Sequence, residues 1–329
     1  MRGSALALGV AAGHAADAVF GDPRRGHPVA GFGQAATALE RRLWRDHRGA
    51  GAAFTALCVG SVALGALGAG RAVRGSATGR AALAGAATWT VLGGASLVRE
   101  ARTIGGALQA GDLDAARQRL PYLCGRDPHG LTEQQVARAV VESVAENTAD
   151  AVVNALVWGA LAGVPGLLAF RAVNTLDAMV GHRSPRYLRF GWASARLDDV
   201  AGWPGARLTA LLTVAAAGPG PRADALRVWR RDASAHPSPN AGQAEAAFAG
   251  ALGVRLGGTL RYGSAGADGR GGRVEHRPVL GGEARPVEVA DIERACVLSR
   301  RVGLLAAGTA VLAALVRVPG RRTVRRGRR

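Results

Sequence analysis

Residues 49–70 read GAGAAFTALCVGSVALGALGAG, twenty-two positions without a charge. A bilayer core of ~30 Å takes about 20 mostly apolar residues at 1.5 Å rise each, so this run is long enough to cross one. A second run, AALAGAATWTVLGGASLV at 81–98, is 18 residues long and equally uncharged. The link between them carries Arg71, Arg74 and Arg80. Together they predict a transmembrane hairpin; the alternative is a pair of buried helices in a soluble alanine- and glycine-rich protein.

The pattern extends in both directions. Near the start, residues 3–16 are apolar and the run continues past Asp17 to Phe20. Arg2 before it imitates a signal peptide, but Asp17 interrupts the run and Gly21-Asp22-Pro23 stands where a cleavage site of small residues would lie. That favours an uncleaved first membrane segment over 3–20. Val302 to Val316 adds 15 uncharged residues near the other end. The run 151–170, AVVNALVWGALAGVPGLLAF, holds Pro165 among glycines. A simple crossing there would leave the polar blocks on either side of it on opposite faces. A broken or re-entrant helix, buried against protein where irregular backbone is tolerated, keeps them together.

The expected fold class is all-α: a polytopic integral membrane protein with helical polar regions between its membrane segments. Residues 1–98 supply N-terminal membrane segments, 99–301 a catalytic helical region, and 302–329 a last apolar segment with an arginine-rich tail. Within the middle region, Asp112–Leu120 reads as a helix with an acidic first turn. Thr132 with Gln135 three residues on is a capping signal, followed by Val136, Val140, Val141 and Val144 at helical spacing. Residues 263–287 read as a loop, and no alternation is long enough to predict a sheet.

The chain has 42 Lys+Arg against 24 Asp+Glu, a net charge of +18, and all 42 are arginine. Without lysine it is neither a P-loop NTPase nor a pyridoxal-phosphate or Schiff-base enzyme. Seven of the arginines lie in the tail 317–329. That tail suits anionic membrane lipid; a solvated tail and nucleic-acid binding are the other readings. The remaining charge is spread out, with no aromatic-interleaved patch, so no nucleic-acid partner is expected. Cys58, Cys124 and Cys296 form no metal or disulfide pattern.

The densest polar stretch is VESVAENTAD at 141–150. On an α-helix Glu142, Glu146 and Asp150 advance about 40° per step and share a face. They repel one another by a few tenths of a kcal/mol per pair when solvated. No basic residue lies between Arg138 and Arg171 to relieve them. A hard cation such as Mg²⁺ would, the bland alternative being a solvated acidic face. A second stretch runs from Arg171 through Asn174, Thr175, Asp177, His182, Tyr187, Arg196 and Asp198-Asp199 to Arg207. The paired aspartates suit a metal or neighbouring arginines. The guanidinium groups suit phosphate or carboxylate, or a structural Arg–Asp network. His27 follows the Gly21-Asp22-Pro23 turn, and HPSPNAG at 236–242 is a rigid loop.

These pieces are similar to the CobD/CbiB family of cobalamin biosynthesis, adenosylcobinamide-phosphate synthase. The resemblance rests on GDPRRGHPV (21–29), GRD (125–127), VESVAENTAD (141–150), RAVNTLDAMVGHRSPRYLRFGWASARLDD (171–199), HPSPNAG (236–242) and AFAGALGVRLGG (247–258), in order over most of the chain. Pro128, where threonine is expected, and Gly205 in WPGAR depart from the family pattern. The resemblance implies an ATP- and Mg²⁺-dependent ligase in the cell membrane, its active site facing the cytoplasm. It would amidate the propionate carboxyl of adenosylcobyric acid with (R)-1-amino-2-propanol O-phosphate or a related amino alcohol. On that basis Glu142, Glu146, Asp150, Asp198 and Asp199 are expected to hold the metal. Arg171, Arg196, Arg207, Tyr187, Asn240 and Ser238 are expected to hold phosphates or substrate. Asn147 and Asn174 would orient donors, and Asp177 or His27 would accept the amine proton. A transporter or permease component for a corrinoid or other anionic solute is the alternative.

Overall fold

The computed structural model describes residues 2–23, 26–262 and 273–316; the arginine tail falls outside them. Helix α1 (Arg2–Phe20) is followed by α2 (Pro28–Leu43) and the long α3 (Arg48–Ala72). Next come α4 (Ala77–Val91), α5 (Gly94–Gln109) and the short α6 (Leu113–Arg119). The remaining helices are α7 (Glu133–Thr148), α8 (Asn154–Leu176), α9 (Trp192–Ala216), α10 (Arg222–Asp232), α11 (Ala241–Leu252) and α12 (Ala290–Val316). Among the described residues five helical segments are long and apolar enough to cross a membrane: 3–20, 48–72, 77–109, 133–181 and 290–316.

Local chemistry sets the boundaries. His47 Nδ1 accepts from Gly49 N (3.0 Å) at the head of α3, and Ser76 Oγ accepts from Gly79 N (2.9 Å) at the head of α4. Asp112 caps α6, while Thr132 and Gln135 form a reciprocal capping box on α7. The apolar stretch 81–98 is not one straight helix. It breaks at Leu92-Gly93, where Leu92 is extended and Gly93, the N-cap residue of α5, has no side chain of its own to cap it.

Helices α1 and α4 meet along small residues. A Cβ on Gly9 would lie 2.5 Å from Ala84 Cβ, and one on Gly13 would lie 2.5 Å from both the Gly85 carbonyl oxygen and Thr88 Cβ. In a bilayer, where lipid is as apolar as the helix, such close backbone approach is what holds helices together.

The apolar stretch 151–170 turns back on itself. Gly163 takes a left-handed φ of 68°, and Pro165 follows it inside α8. A Cβ on Gly159 would sit 2.8 Å from Leu167, and one on Gly166 would overlap the Trp158 carbonyl. Residues eight apart touch, so α8 is a helical hairpin with its tip at Ala162–Pro165. That tip lines a cavity of about 540 Å³ with Ala66, Gly70 and Arg71 of α3 and Leu83 of α4. One π-turn precedes the hairpin (Ala149–Val153) and another follows it (Asp177–Gly181).

The expectation of no sheet is corrected. Strands β1 (Leu256–Tyr262) and β2 (Arg273–Leu280) pair antiparallel, so the expected loop 263–287 contains a strand at 273–280. The sequence hides it because Gly257 and Gly258 both have positive φ and the register shifts between Leu256 and Gly258, which breaks the alternation.

Gly13→Leu should separate α1 from α4 and cost about 1–3 kcal/mol or more by overpacking. Thermal unfolding in detergent should show the loss, and the same change at Gly68, which has open space around it, should be neutral.

Candidate active site

Both acids that flank the hairpin sit in π-turns, Asp150 in the first and Asp177 in the second. Such turns add a residue to the helical repeat and recur at functional sites. Asp150, at the first π-turn, is within electrostatic reach of Glu146 as well as of Asp177 and Asp198. Glu146, Asp150, Asp177 and Asp198 lie within electrostatic reach of one another, with Arg171 on the same side. Asp177 is accommodated by Gly181, where any Cβ would overlap its carboxylate.

Helix α9 brings the second block over the hairpin feet. Asn174 Nδ2 donates to Asp198 Oδ1 (3.4 Å), and Arg196 Nη1 lies 3.6 Å from Asp199 Oδ2. Asn240 Nδ2 donates to the Asp199 carbonyl (2.9 Å), and Arg207 Nη1 donates to Asn240 Oδ1 (3.3 Å). Ser238 Oγ accepts from Asn240 N and Ala241 N and shapes the 236–242 loop. Burial and the neighbouring Asp177 charge push the Asp198 carboxyl up to about 7, although the Asn174 hydrogen bond pulls the other way. The Arg171 Nε is buried without a hydrogen bond, between Asp22 and Asp150.

Several expected site residues are engaged elsewhere. Glu142 is 3% exposed; its Oε2 accepts from Arg126 Nη2 (2.6 Å), its Oε1 accepts from Gly257 N (2.7 Å), and Arg138 Nε lies 3.8 Å away. This acid ties α7 to the 125–127 loop and to β1. Asn147 Nδ2 donates back to Ser143 on its own helix (2.9 Å to the carbonyl). His27 is the N-cap of α2: Nδ1 accepts from Val29 N (3.1 Å) and Nε2 faces Asp22 at 3.9 Å. Tyr187 donates its hydroxyl to Glu40 Oε1 (2.9 Å), which also accepts from Arg186.

Sequence reasoning missed Glu245, although it stands between two of the quoted motifs as the one acid of α11, AGQAEAAFAGAL. It is 1% exposed and neither carboxylate oxygen has a hydrogen-bond partner. His236 Nε2 lies 3.7 Å from it and Arg277 Nη1 3.9 Å. Burial, with Glu142 and Glu146 nearby, holds this carboxyl well above its ordinary range. Arg126 and Arg277, the cations that face these acids, come from distant loop and strand positions that helix spacing does not reveal.

Among the described residues no three His, Cys, Asp or Glu side chains are arranged to cage a metal ion. The chemistry of the donor set nonetheless fits Mg²⁺. Carboxylates outnumber cations at the hairpin feet, and Mg²⁺ typically takes one or two carboxylates with waters and substrate phosphates completing its shell.

Fold and site define a polytopic α-helical membrane protein with a buried acid–arginine centre at the feet of a helical hairpin. The family model described as CobD/Cbib protein matches residues 10–299. A Mycobacterium tuberculosis protein named "Cobalamin biosynthesis protein CobD" is 53% identical over 313 residues, 94% of this chain and 95% of its own. Proteins of the same name from Geobacter metallireducens (45% over 284 residues, 83% and 85% covered) and Chromobacterium violaceum (40% over 305 residues, 91% and 94%) also match. No solved structure matches. The chain belongs to the CobD/Cbib family.

Arg126→Met should strand Glu142 as a buried, under-compensated charge and cost about 3–5 kcal/mol, seen as a lowered unfolding temperature. Glu142→Gln, which keeps an acceptor for Gly257 N, should cost less. Equal losses would show that the ion pair is not what anchors β1 to α7.

Proposed function

We propose that this chain is the cobalamin-biosynthesis ligase that joins adenosylcobyric acid to an aminoalkyl phosphate such as (R)-1-amino-2-propanol O-phosphate, giving adenosylcobinamide phosphate. Family membership over residues 10–299 supports the role in cobalamin biosynthesis. The gathering of Glu146, Asp150, Asp177 and Asp198 at the feet of one hairpin, with Arg171 beside them, is the observation that carries the chemistry. A free carboxylate and an amine do not condense in water unaided. In this reading the propionate carboxylate takes the γ-phosphoryl group of ATP, and the amine then displaces phosphate and gives up a proton. The centre therefore faces the cytoplasm, where ATP is.

Mg²⁺ would be held by Asp150 and Asp198, with Glu146 and Asp199 as further oxygen donors, and would supply charge neutralisation at the ATP phosphates. Arg171 and Arg207 offer planar donors to phosphate oxygens. Asn174 orients Asp198, and Asn240 holds the α9 backbone at Asp199 while receiving Arg207. Asp177, set in its π-turn against Gly181, is the proton acceptor for the attacking amine.

The test is a membrane-fraction assay with adenosylcobyric acid, aminopropanol phosphate and Mg-ATP, resolving corrinoids by mass. A product heavier by aminopropanol phosphate less water, absent without ATP, is expected. An unchanged corrinoid, or one moved across sealed vesicles, would overturn the ligase reading.

The Asp198 carboxyl sets a pH signature. Below about 7 it holds a proton in the folded chain, and a proton there competes with a cation. Half-saturation by Mg²⁺ should therefore rise toward about tenfold per pH unit below 7 and level off above it. Stability runs the opposite way. The folded state binds this proton where the unfolded chain does not, so that contribution is present at low pH. It is lost as pH rises from the ordinary carboxylate range through about 7. Asp198→Asn should raise the unfolding temperature at pH 8 while lowering turnover by on the order of 10²-fold.

A further inference from the structure

Beside the first π-turn, whose Val152 forms part of the lining, α1, α5 and α12 border a cavity of about 690 Å³. His14 and Asp17, one helical turn apart on α1, are part of its lining. Asp17 is 3% exposed. Its Oδ2 accepts from Ala95 N (3.3 Å) and so caps α5, which has no cap of its own. Its Oδ1 is buried with no hydrogen-bond partner, and so is His14 Nδ1. A buried carboxylate oxygen and a buried ring nitrogen, both unmatched and lining one cavity, are costly unless a ligand supplies donors.

The other lining groups have the opposite character. Arg99, Arg300 and Arg301 also border the cavity. Arg102 beside them is taken by Glu293 in a bidentate pair (2.6 and 2.8 Å), and Arg99 Nη2 donates to Ser96 Oγ (2.7 Å). Arg300 and Arg301 are exposed and enter no ion pair among the described residues. Val152 and Leu304 supply an apolar wall. The cavity is thus lined by the unmatched polar atoms of Asp17 and His14 on α1 and by guanidinium donors on α5 and α12, of which Arg99 lies within electrostatic reach of Asp17. A simple anion would satisfy the arginines and leave Asp17 repelled. A simple amine would do the reverse.

The geometry points to a binding site for an aminoalkyl phosphate, its ammonium on Asp17 Oδ1 and His14 and its phosphate on Arg300, Arg301 and Arg99. Two sources carry that chemistry. One is the small amino-alcohol phosphate of the proposed reaction, in which case the site deepens that reading. The other is the ethanolamine-phosphate headgroup of a lipid, which needs no such reading.

Binding is measured on the full chain with neither ATP nor corrinoid present, so that failure of the ligase assay and failure of this site are separable. In nanodiscs of phosphatidylglycerol alone, O-phosphoethanolamine should bind at least tenfold more tightly than ethyl phosphate, which lacks the amine. Asp17→Asn should abolish that ratio, and the double change Arg300→Gln with Arg301→Gln should weaken both ligands alike. Where the source is lipid, mass spectrometry of protein from bilayers of equal phosphatidylethanolamine and phosphatidylglycerol should show selective retention of the former, lost in Asp17→Asn. The double arginine variant keeps the site testable if Asp17→Asn fails to fold, because it leaves the cap on α5 intact. No preference for the amine in either arm overturns the proposal.

Discussion

Everything at the site depends on the reversal of α8 at Gly163. A straight helix over 154–176 would carry Asp177 some 40 Å from Asp150 along its axis at 1.5 Å per residue, the thickness of a whole bilayer with its headgroups. The left-handed φ of 68° at Gly163, followed by Pro165, folds the segment into two short limbs instead. Gly159 and Gly166 let those limbs touch. The tip of the hairpin lies against α3 and α4, with which it lines a cavity. The two π-turns at its feet then aim Asp150 and Asp177 inward.

That arrangement divides the acids of the 141–150 block by role. Glu142, one turn before Glu146, is saturated by Arg126, Arg138 and Gly257 N. Its charge is spent on joining α7 to the 125–127 loop and β1. Glu146 lies within electrostatic reach of Arg277, Glu142 and Arg126, and Asp150 within reach of Asp198, Glu146, Asp177 and Arg171. Identical residue types at regular spacing thus separate into an anchor and a centre, and what separates them is which distant arginine reaches which oxygen.

This is also where the sequence stops being informative. Uncharged runs at 3–20 and 49–70 become α1 and α3 because helix length is a local property set by the bilayer and by caps such as His47. The capping box at Thr132 and Gln135 is legible for the same reason. The break at Leu92-Gly93 and the β1–β2 pair are less so. The first is completed by Asp17 from α1, and the second depends on pairing across residues far apart with two positive-φ glycines in the way. Helical spacing places Glu142, Glu146 and Asp150 on one stripe, but it does not say which distant groups reach each of them, Arg126 at Glu142 and Asp198 at Asp150.

Glu245 shows what the same physics implies for the whole centre. A carboxylate inside a helix of mostly alanines and glycines, with neither oxygen hydrogen-bonded and with His236 at 3.7 Å and Arg277 at 3.9 Å, is poorly stabilised as an anion. Its near neighbours Glu142 and Glu146 repel it further. Burial and these neighbours favour the protonated carboxyl, and the nearby Arg277 and Arg126 oppose them. The acids at the hairpin feet and Glu245 are therefore one electrostatic system.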